Sequence, residues 1–382
     1  MKQIILPILL LILFNSCAQS EPEVPKNPVK IAQEEVKKTY QISDFLKEDP
    51  QLDKDVERIF AALDDTAIVA QLIMPAVGRL GQTEATIRSH INKRIIGGVL
   101  MLNGTKEEFT NWIKSFEAMN DSIGNLPFLY SADAEPSLVN RKITGSTPVK
   151  KANELTTIEE VRTVADMISK DLNEIGINYN FSPVVDMSPN KTVGFRSFGA
   201  VPANIIPWSD AFIQQTQSHN IIATAKHFPG HGDTSTDSHH TLPVVKFDKS
   251  RLDDVELYPY KELIKNGLTS VMVAHLNVPS IEPRENYPTS ISYNVVTNIL
   301  KNELQFDGLI FTDALNMKGA SNFKKPGDID LEAFLAGNDV LLFAENVPVA
   351  IKKFNEAKKD GRLTEERLAY SVKKILAYKY KA

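Results

Sequence analysis

The sequence predicts an α/β protein with a single (β/α)8 TIM-type barrel, preceded by a signal peptide and a flexible tether. Two observations predict the barrel: short apolar runs alternate with amphipathic stretches from about Leu46 to the C-terminus, and no Pro/Gly/Ser-rich break divides them. A third observation, an apolar run directly after Lys2, sets the N-terminus apart. A doubly wound parallel sheet is the alternative fold, because it has the same alternation of strands and helices.

Residues 1–17 have the pattern of a secretory signal peptide. The apolar run 4–14 is too short to span a bilayer and suits the apolar core of an export signal. Cys17, the only cysteine of the chain, follows this run directly and has no second cysteine for a disulfide. Residues 13–17 resemble a bacterial lipobox, which implies an exported protein held to a membrane by lipid on Cys17. In the alternative, an ordinary signal peptide cut nearby, Cys17 has no such role.

Residues 18–45 predict the flexible tether, and residues 46–382 predict the barrel. The segment 18–38 has three prolines and many Glu and Lys residues, a composition typical of a flexible linker. The whole chain has 42% hydrophobic and 24% charged residues, as expected of a globular protein. Its formal net charge is −5, and its Lys and Arg residues are scattered, so we expect no nucleic acid partner.

Seven apolar runs predict strands, and most intervals between them leave room for a helix. The runs are residues 95–101, 128–131, 178–186, 221–226, 270–275, 308–313 and 339–344. Apolar residues at helical spacing predict one helix over 157–175 and a closing helix over 363–378.

Polar side chains follow most of these runs. Barrel enzymes carry their chemistry on the loops after the strands, so these side chains should meet at one mouth of the barrel. They are Asp133, Glu135, Asp186, Lys226, His227, His275 and Asp313. For Asp313, which ends an apolar run, the alternative to a catalytic role is capping of the next helix.

The segment 226–240 contains four of the seven histidines and two aspartates, interrupted by glycines. Titratable groups at the end of a buried strand are typical of an active-site loop. A metal hydrolase is one alternative, because histidine and aspartate are also zinc ligands. However, His227 and His231 have a spacing that suits a helix, and Pro229, Gly230 and Gly232 disfavour a helix there.

Five separated motifs resemble those of the β-N-acetylhexosaminidase branch of glycoside hydrolase family 3, over about residue 46 to the C-terminus. The longest is Lys226-His227-Phe228-Pro229-Gly230-His231-Gly232-Asp233-Thr234, followed by Asp237-Ser238-His239. The others are Phe181-Ser182-Pro183-Val184-Val185-Asp186, Gly194-Phe195-Arg196-Ser197-Phe198-Gly199, Phe306-Asp307-Gly308 leading to Thr312-Asp313-Ala314-Leu315-Asn316-Met317, and Ala336-Gly337-Asn338-Asp339.

The resemblance implies a retaining exo-β-N-acetylglucosaminidase that needs no cofactor and acts on oligosaccharides such as peptidoglycan or chitin fragments. Asp313 lies at the position of the nucleophile, and His239, assisted by Asp237, at that of the general acid/base. An imidazole with a pKa near 6.5 can donate and accept protons near neutral pH, and a neighbouring carboxylate favours its protonated form. The positions that hold the sugar are Asp133, Arg141, Arg196, Lys226 and His227.

One corner departs from the family pattern. The family has Asp-Gln-Glu-Gly-Gly where this chain has Asp133-Ala134-Glu135-Pro136-Ser137, so we expect a reshaped sugar pocket. Three alternatives within the family stay open: a β-glucosidase, a phosphorylase, and a catalytically silent sugar-binding lipoprotein. Phosphorolysis stays open because a histidine acid/base carries no fixed negative charge to repel phosphate.

Overall fold

The computed structural model describes residues 40–187, 193–199, 201–232, 234 and 241–381. Cys17, Asp237 and His239 lie outside the described residues, as do the predicted signal peptide and most of the predicted tether. The strands are β1 (Ile73–Met74), β2 (Ala76–Val77), β3 (Gly98–Met101), β4 (Gly104–Thr105), β5 (Leu129–Ala132), β6 (Ile143–Thr144), β7 (Tyr179–Asn180), β8 (Ile222–Phe228), β9 (Ser270–Val273), β10 (Leu309–Thr312) and β11 (Leu341–Leu342).

Seven strands form one parallel sheet with the order β10-β9-β8-β7-β5-β3-β2. The order follows the chain without the reversal that a doubly wound sheet has, so that alternative does not describe this protein. β1 pairs in parallel with β11, and β4 pairs with β6. The predicted α/β fold with parallel strands is therefore confirmed.

The sheet is curled around aromatic side chains. The ring centroids of Tyr179 in β7 and Phe311 in β10 are 4.6 Å apart, and Phe181 lies 5.2 Å from Phe311. In a flat sheet, strands three positions apart are separated by about 14 Å. Contact between these rings therefore requires the sheet to curve, and the rings fill its concave side.

The helices cover the outside of the sheet. The helix predicted over 157–175 is observed as Ile158–Ile175, because the Thr157 side chain accepts the first hydrogen bond and Gly176, with φ 97°, ends the helix. The helices are α1 (Pro50–Ala61), α2 (Asp65–Ala70), α3 (Glu84–Asn92), α4 (Lys106–Ser122), α5 (Val139–Lys142), α6 (Ile158–Ile175), α7 (Pro202–Ser218), α8 (Lys249–Arg251), α9 (Tyr258–Lys265), α10 (Lys318–Ser321), α11 (Asp328–Ala336), α12 (Val347–Lys359) and α13 (Glu365–Lys381). Two further segments, Leu252–Glu256 and Asn294–Glu303, are π-helical.

Tyr40 and Phe45, which lie within the predicted tether (residues 18–45), pack against the folded part of the chain. Tyr40 is buried and stacks on Phe45 with ring centroids 5.9 Å apart. Phe45 in turn contacts Tyr378 of α13 at 4.7 Å. Aromatic contacts with the C-terminal helix thus hold residues 40–45 against the folded part of the chain. Within the described ranges, no helix has the length and apolar character needed to cross a membrane.

Candidate active site

A cavity of about 1000 Å³ opens at the carboxyl ends of the strands. Asp133 directly follows β5, Asp313 directly follows β10, and Lys226 lies near the end of β8. Parallel strands bring their carboxyl ends to one edge, so residues that are distant in sequence meet there. Six of the predicted site residues line this one cavity: Asp133, Arg141, Arg196, Lys226, His227 and Asp313.

Lys226 is the centre of a buried ion-pair network. Its Nζ lies 2.7 Å from Asp133 Oδ1 and 2.6 Å from Glu135 Oε1. Lys142 contacts the other carboxylate oxygen of Asp133 at 2.5 Å. Asp133 is thereby held between two cations, and its oxygens have a fixed position at the cavity wall.

Glu135 connects Lys226 to Arg196. The Arg196 guanidinium donates two hydrogen bonds to the Glu135 carboxylate, at 2.8 Å and 2.7 Å, a bidentate geometry that fixes the plane of both groups. The sequence indicated Glu135 as a polar residue at the mouth but assigned it no role, and Lys142 was not identified. The roles of Glu135 and Lys142 depend on which side chains meet in three dimensions. Glu135 could be noticed in the sequence because it follows a predicted strand, whereas no sequence pattern indicated Lys142.

Asp133, Glu135 and Lys226 are held in their charged forms. Burial alone would raise the pKa of Asp133, but Lys142 and Lys226 outweigh it and hold the pKa well below its usual range. Burial would likewise raise the pKa of Glu135, and Arg196 and Lys226 lower it well below normal. For Lys226, burial acts to lower the pKa, and the two carboxylates raise it above its ordinary value.

Asp186 fixes the orientation of His227. His227 Nδ1 lies 2.8 Å from Asp186 Oδ2, and the other oxygen, Oδ1, accepts the His231 backbone N–H at 2.8 Å. Burial would raise the pKa of Asp186, but the hydrogen bond and charge of His227 lower it to about 2. The ionised carboxylate therefore accepts a hydrogen bond from the Nδ1–H of His227, and His227 Nε2 lies 3.4 Å from the Arg196 guanidinium.

Asp313 presents its carboxyl group to the same cavity. Its Oδ1 accepts a hydrogen bond from the Ala314 backbone N–H at 2.8 Å, which fixes the rotation of the side chain. Its own N–H donates to the Val273 carbonyl at 2.8 Å, so the backbone is tied to β9. The helix nearest in sequence, α10, begins at Lys318, and Met317 is its N-cap residue. Asp313 therefore does not cap a helix.

His275, which we expected at the mouth, follows β9 by two residues and is completely buried. Its Nδ1 lies 2.7 Å from Ser290 Oγ, and its Nε2 lies 2.9 Å from the Ala314 carbonyl oxygen. The side chain is not among the residues that line the cavity, and it packs against the loop after β10. It supports the backbone next to Asp313.

The reshaped corner has a new contact. Ser137 donates its hydroxyl hydrogen to the Phe195 carbonyl at 2.6 Å and accepts the Ala152 N–H at 2.9 Å. A glycine at position 137 could make neither bond, so this part of the cavity wall differs from the family pattern in its connections as well as in its sequence.

The metal alternative lacks a ligand set in the described ranges. No three His, Cys, Asp or Glu side chains there are grouped so that they could hold a metal ion. In addition, Arg196 lies 3.4 Å from His227 Nε2, where its positive charge would repel a divalent cation. Asp233, Asp237 and His239, which that reading also uses, lie outside the described residues.

Comparisons with known proteins identify the family of this chain. Residues 65–378 match the glycosyl hydrolase family 3 N terminal domain. Beta-hexosaminidase LpqI from Mycobacterium tuberculosis is 30% identical over 332 residues, which are 81% of this chain and 81% of that protein. Beta-hexosaminidase A from Pseudoalteromonas piscicida is 34% identical over 57% of this chain and 40% of its own length.

The solved structure of a glycoside hydrolase family 3 beta-N-acetylglucosaminidase from Paenibacillus sp. str. FPU-7 has a TM-score of 0.77 to this chain. It is 33% identical and is matched over 84% of this chain and 62% of its own. The chain therefore spans less than two thirds of this protein and of Beta-hexosaminidase A. The match over residues 65–378 and the similarity to LpqI over 81% of both proteins establish, as the motifs predicted, that the chain belongs to glycosyl hydrolase family 3.

Proposed function

We propose that this protein is a retaining exo-β-N-acetylglucosaminidase that removes terminal β-linked N-acetylglucosamine from oligosaccharides such as peptidoglycan or chitin fragments. One observation carries the proposal: a single cavity combines the Asp313 carboxylate with a buried network of charged hydrogen-bonding groups. The names of similar proteins, beta-hexosaminidase and beta-N-acetylglucosaminidase, support the choice of sugar.

Asp313 is the proposed nucleophile. In the first step its carboxylate attacks the anomeric carbon, the bond to the leaving oxygen breaks, and the general acid gives that oxygen a proton. In the second step water attacks the same carbon, loses a proton to the same group, and releases the sugar and the carboxylate. The hydrogen bond from Ala314 orients Asp313 for this attack.

His239, assisted by Asp237, is the proposed general acid/base. Both residues lie outside the described residues, so this assignment depends on the resemblance of their segment to the family motif. The described site is compatible with the assignment, because its other histidines already have partners. His227 is bonded to Asp186, and His231 lies 3.4 Å from Thr234 Oγ1.

Asp133, Arg141, Arg196, Lys226 and His227 are the proposed ligands of the non-reducing sugar. Sugar hydroxyls both donate and accept hydrogen bonds, so a site with fixed carboxylate oxygens and fixed N–H donors can pair with each of them. The cross-links of the network keep these groups in place before the substrate arrives, which reduces the entropy lost on binding.

The (β/α)8 barrel and the lipid anchor are further parts of the proposal. β2 pairs with β3, β1 pairs with β11, and a bridge between Phe311 and Val340 joins β11 to β10. If β1 and β2 are counted as one strand interrupted at Pro75, these pairings give a closed ring of eight strands.

The lipobox-like segment ending at Cys17 supports export and a lipid anchor. Mass spectrometry of the wild type and of Cys17→Ala, both purified from membranes, would test for lipid on Cys17.

The proposed reaction is tested with the p-nitrophenyl β-glycosides of N-acetylglucosamine and glucose, using protein that lacks residues 1–17. We expect the acetamido sugar to be preferred, Asp313→Ala to abolish release, and His239→Ala to reduce it strongly. Turnover that Asp313→Ala leaves intact would refute the assignment. Folded protein that turns over neither sugar would refute the proposed function.

Phosphorolysis is a second candidate, supported by the charge of the cavity. Its described lining contains the cationic residues Arg79, Arg141, Lys142, Arg196, Lys226 and Lys318 but only two carboxylates, Asp133 and Asp313. Excess positive charge favours a phosphate anion. Product analysis in phosphate and in a neutral zwitterionic buffer distinguishes the reactions, since a phosphorylase releases glycosyl phosphate and a hydrolase releases free sugar in both.

A further inference from the structure

Phe195 is a large apolar side chain that lines the cavity and is nevertheless 44% exposed. Its neighbour Arg196 points inward to Glu135, so consecutive residues contribute to different depths of the same cavity. Lys226, in the ion-pair network, has a side chain only 2% exposed. The ring of Phe195 therefore lies at the rim, and the ionic groups lie deep. Single exposed apolar side chains are common, so exposure alone assigns no role to Phe195.

The backbone of Phe195 is tied to two other segments of the wall. The Ser137 hydroxyl donates to the Phe195 carbonyl at 2.6 Å and accepts the N–H of the buried residue Ala152 at 2.9 Å. One side chain thus joins the loop after β5, the turn at Ala152–Glu154 and the turn at Gly194–Arg196. The rim has a fixed backbone at the position of the ring.

Lys151 contacts the Phe195 ring. Its ammonium nitrogen lies 5.7 Å from the ring centroid, within the range of a cation–π interaction. Lys151 directly precedes Ala152, so the same turn that Ser137 holds also supplies this cation. The backbone of Phe195 is thus held by the hydrogen bond from Ser137, and its ring is contacted by Lys151. Much of the ring surface nevertheless remains exposed to solvent.

We propose that Phe195 is a specificity-determining residue that stacks on the leaving-group unit of the substrate. The inference deepens the proposed glycosidase function and rests on it. An exo-acting enzyme binds the terminal sugar in the deep polar part of the cavity, and the next unit then projects toward the rim. A β-linked pyranose ring carries its hydroxyls around its edge, so its faces are C–H surfaces that can cover an aromatic ring.

The bonds of Ser137 that hold the Phe195 backbone depend on a residue by which this chain departs from the family pattern. The family pattern has glycine at this position, and glycine has no hydroxyl to bridge Phe195 and Ala152. The replacement of the family glycine by Ser137 therefore has a specific structural consequence, since the Ser137 hydroxyl holds the backbone of Phe195 in place. We expect Ser137 to act as a positioning residue, through Phe195 and without contact to the substrate.

The test compares a substrate that has a second sugar ring with one that lacks it. The first is the β-1,4-linked disaccharide of N-acetylglucosamine, and the second is the methyl β-glycoside of the single sugar N-acetylglucosamine, in which a methyl group replaces the second ring. Phe195→Ala should lower the ratio of their kcat/KM values about three- to tenfold, as expected for one lost stacking contact, and Phe195→Tyr should keep the ratio. Ser137→Ala should lower it in the same direction by a smaller factor. A ratio unchanged by Phe195→Ala would overturn the proposal.

Two controls make the outcome specific. Tyr293→Ala removes an aromatic side chain that is 54% exposed and does not line the cavity, so the ratio should not change. The affinities of both ligands are also measured in Asp313→Asn with and without Phe195→Ala, because this comparison needs no turnover. If the wild type cleaves neither substrate, the proposed function fails. An affinity ratio unchanged by Phe195→Ala overturns the role of Phe195 independently.

Discussion

Lys226 and Glu135 form an ion pair that is almost completely removed from solvent. Lys226 Nζ lies 2.6 Å from Glu135 Oε1, and the two side chains are 2% and 0% exposed. Desolvation of two charges is costly, and it is offset only when each charge has further partners. Asp133 and Arg196 are those partners. The network is therefore interdependent, and the loss of one member leaves the others uncompensated.

Replacement of Glu135 should destabilise the fold as well as the site. Glu135→Gln keeps the shape of the side chain but removes the carboxylate that pairs with Arg196 and leaves Lys226 with Asp133 alone. We expect the free energy of unfolding, measured in urea, to fall by about 3–5 kcal/mol. The matched control is Glu262→Gln, whose pair with the exposed Lys265 should contribute less than about 1 kcal/mol. Equal losses in the two variants would contradict the interdependence of the network.

His231 should make stability depend on pH in the mildly acidic range. Burial, the largest cause, lowers the pKa of His231 from its ordinary value of 6.5 to about 4. Between these values the unfolded chain binds more protons than the native protein, so stability is fully present above pH 6.5 and is lost as pH falls toward 4. The loss amounts to about 3 kcal/mol for this group.

Urea unfolding of the wild type and His231→Gln at several pH values measures this contribution. The variant cannot titrate at this position, so its stability should change less between about pH 6.5 and pH 4. The difference between the two curves isolates His231 from the carboxylates that titrate in both proteins. Parallel curves would show that His231 keeps an ordinary pKa in the native state.

Activity should survive removal of divalent cations. The described part of the chain has no group of three metal-binding side chains, and the Arg196 guanidinium faces His227 Nε2 at 3.4 Å. We expect kcat/KM to be the same before and after dialysis against EDTA. A loss of activity that zinc restores would contradict this, and would indicate ligands such as Asp233 or His239, beyond the described ranges.

The sequence predicted the strands whose apolar runs end in a polar residue. The runs that precede Asp133 and Asp313 are observed as β5 and β10, because a buried parallel strand needs a continuous apolar sequence. β1 and β2 were not predicted, since Pro75 divides their apolar residues into two pairs that are too short to be distinguished from a loop.

The partners within the site could not be predicted in the same way. A carboxylate after a strand indicates a place at the mouth, but not which cation will reach it. Lys142 is nine residues from Asp133 and meets it because the chain turns back toward the end of β5 at α5. His275 had the same sequence signal as Asp313 and is buried, because the direction of a side chain depends on packing that a local pattern does not contain.

Asp313 and Asp339 should respond in opposite ways to the same substitution. Asp313 follows β10 and faces the cavity, whereas Asp339 precedes β11 and is completely buried. Asp339 contacts Lys374 Nζ at 2.9 Å and accepts the Ile310 N–H at 3.1 Å. Burial would raise the pKa of Asp339, but the cations around it lower it well below its usual range, so the native protein holds the charged form.

We therefore expect Asp339→Asn to lower the free energy of unfolding by about 3–5 kcal/mol, because it leaves Lys374 without its buried counter-charge. Its kcat/KM, measured well below the unfolding temperature, should stay within about twofold of the wild type, since the side chain does not line the cavity. Asp313→Asn should lower kcat at least about a thousandfold, with a smaller effect on stability. The same activity assay and the same urea titration are applied to both variants. A loss of activity in Asp339→Asn as large as that in Asp313→Asn would contradict the prediction. It would mean that the buried charge of Asp339 controls the catalytic geometry.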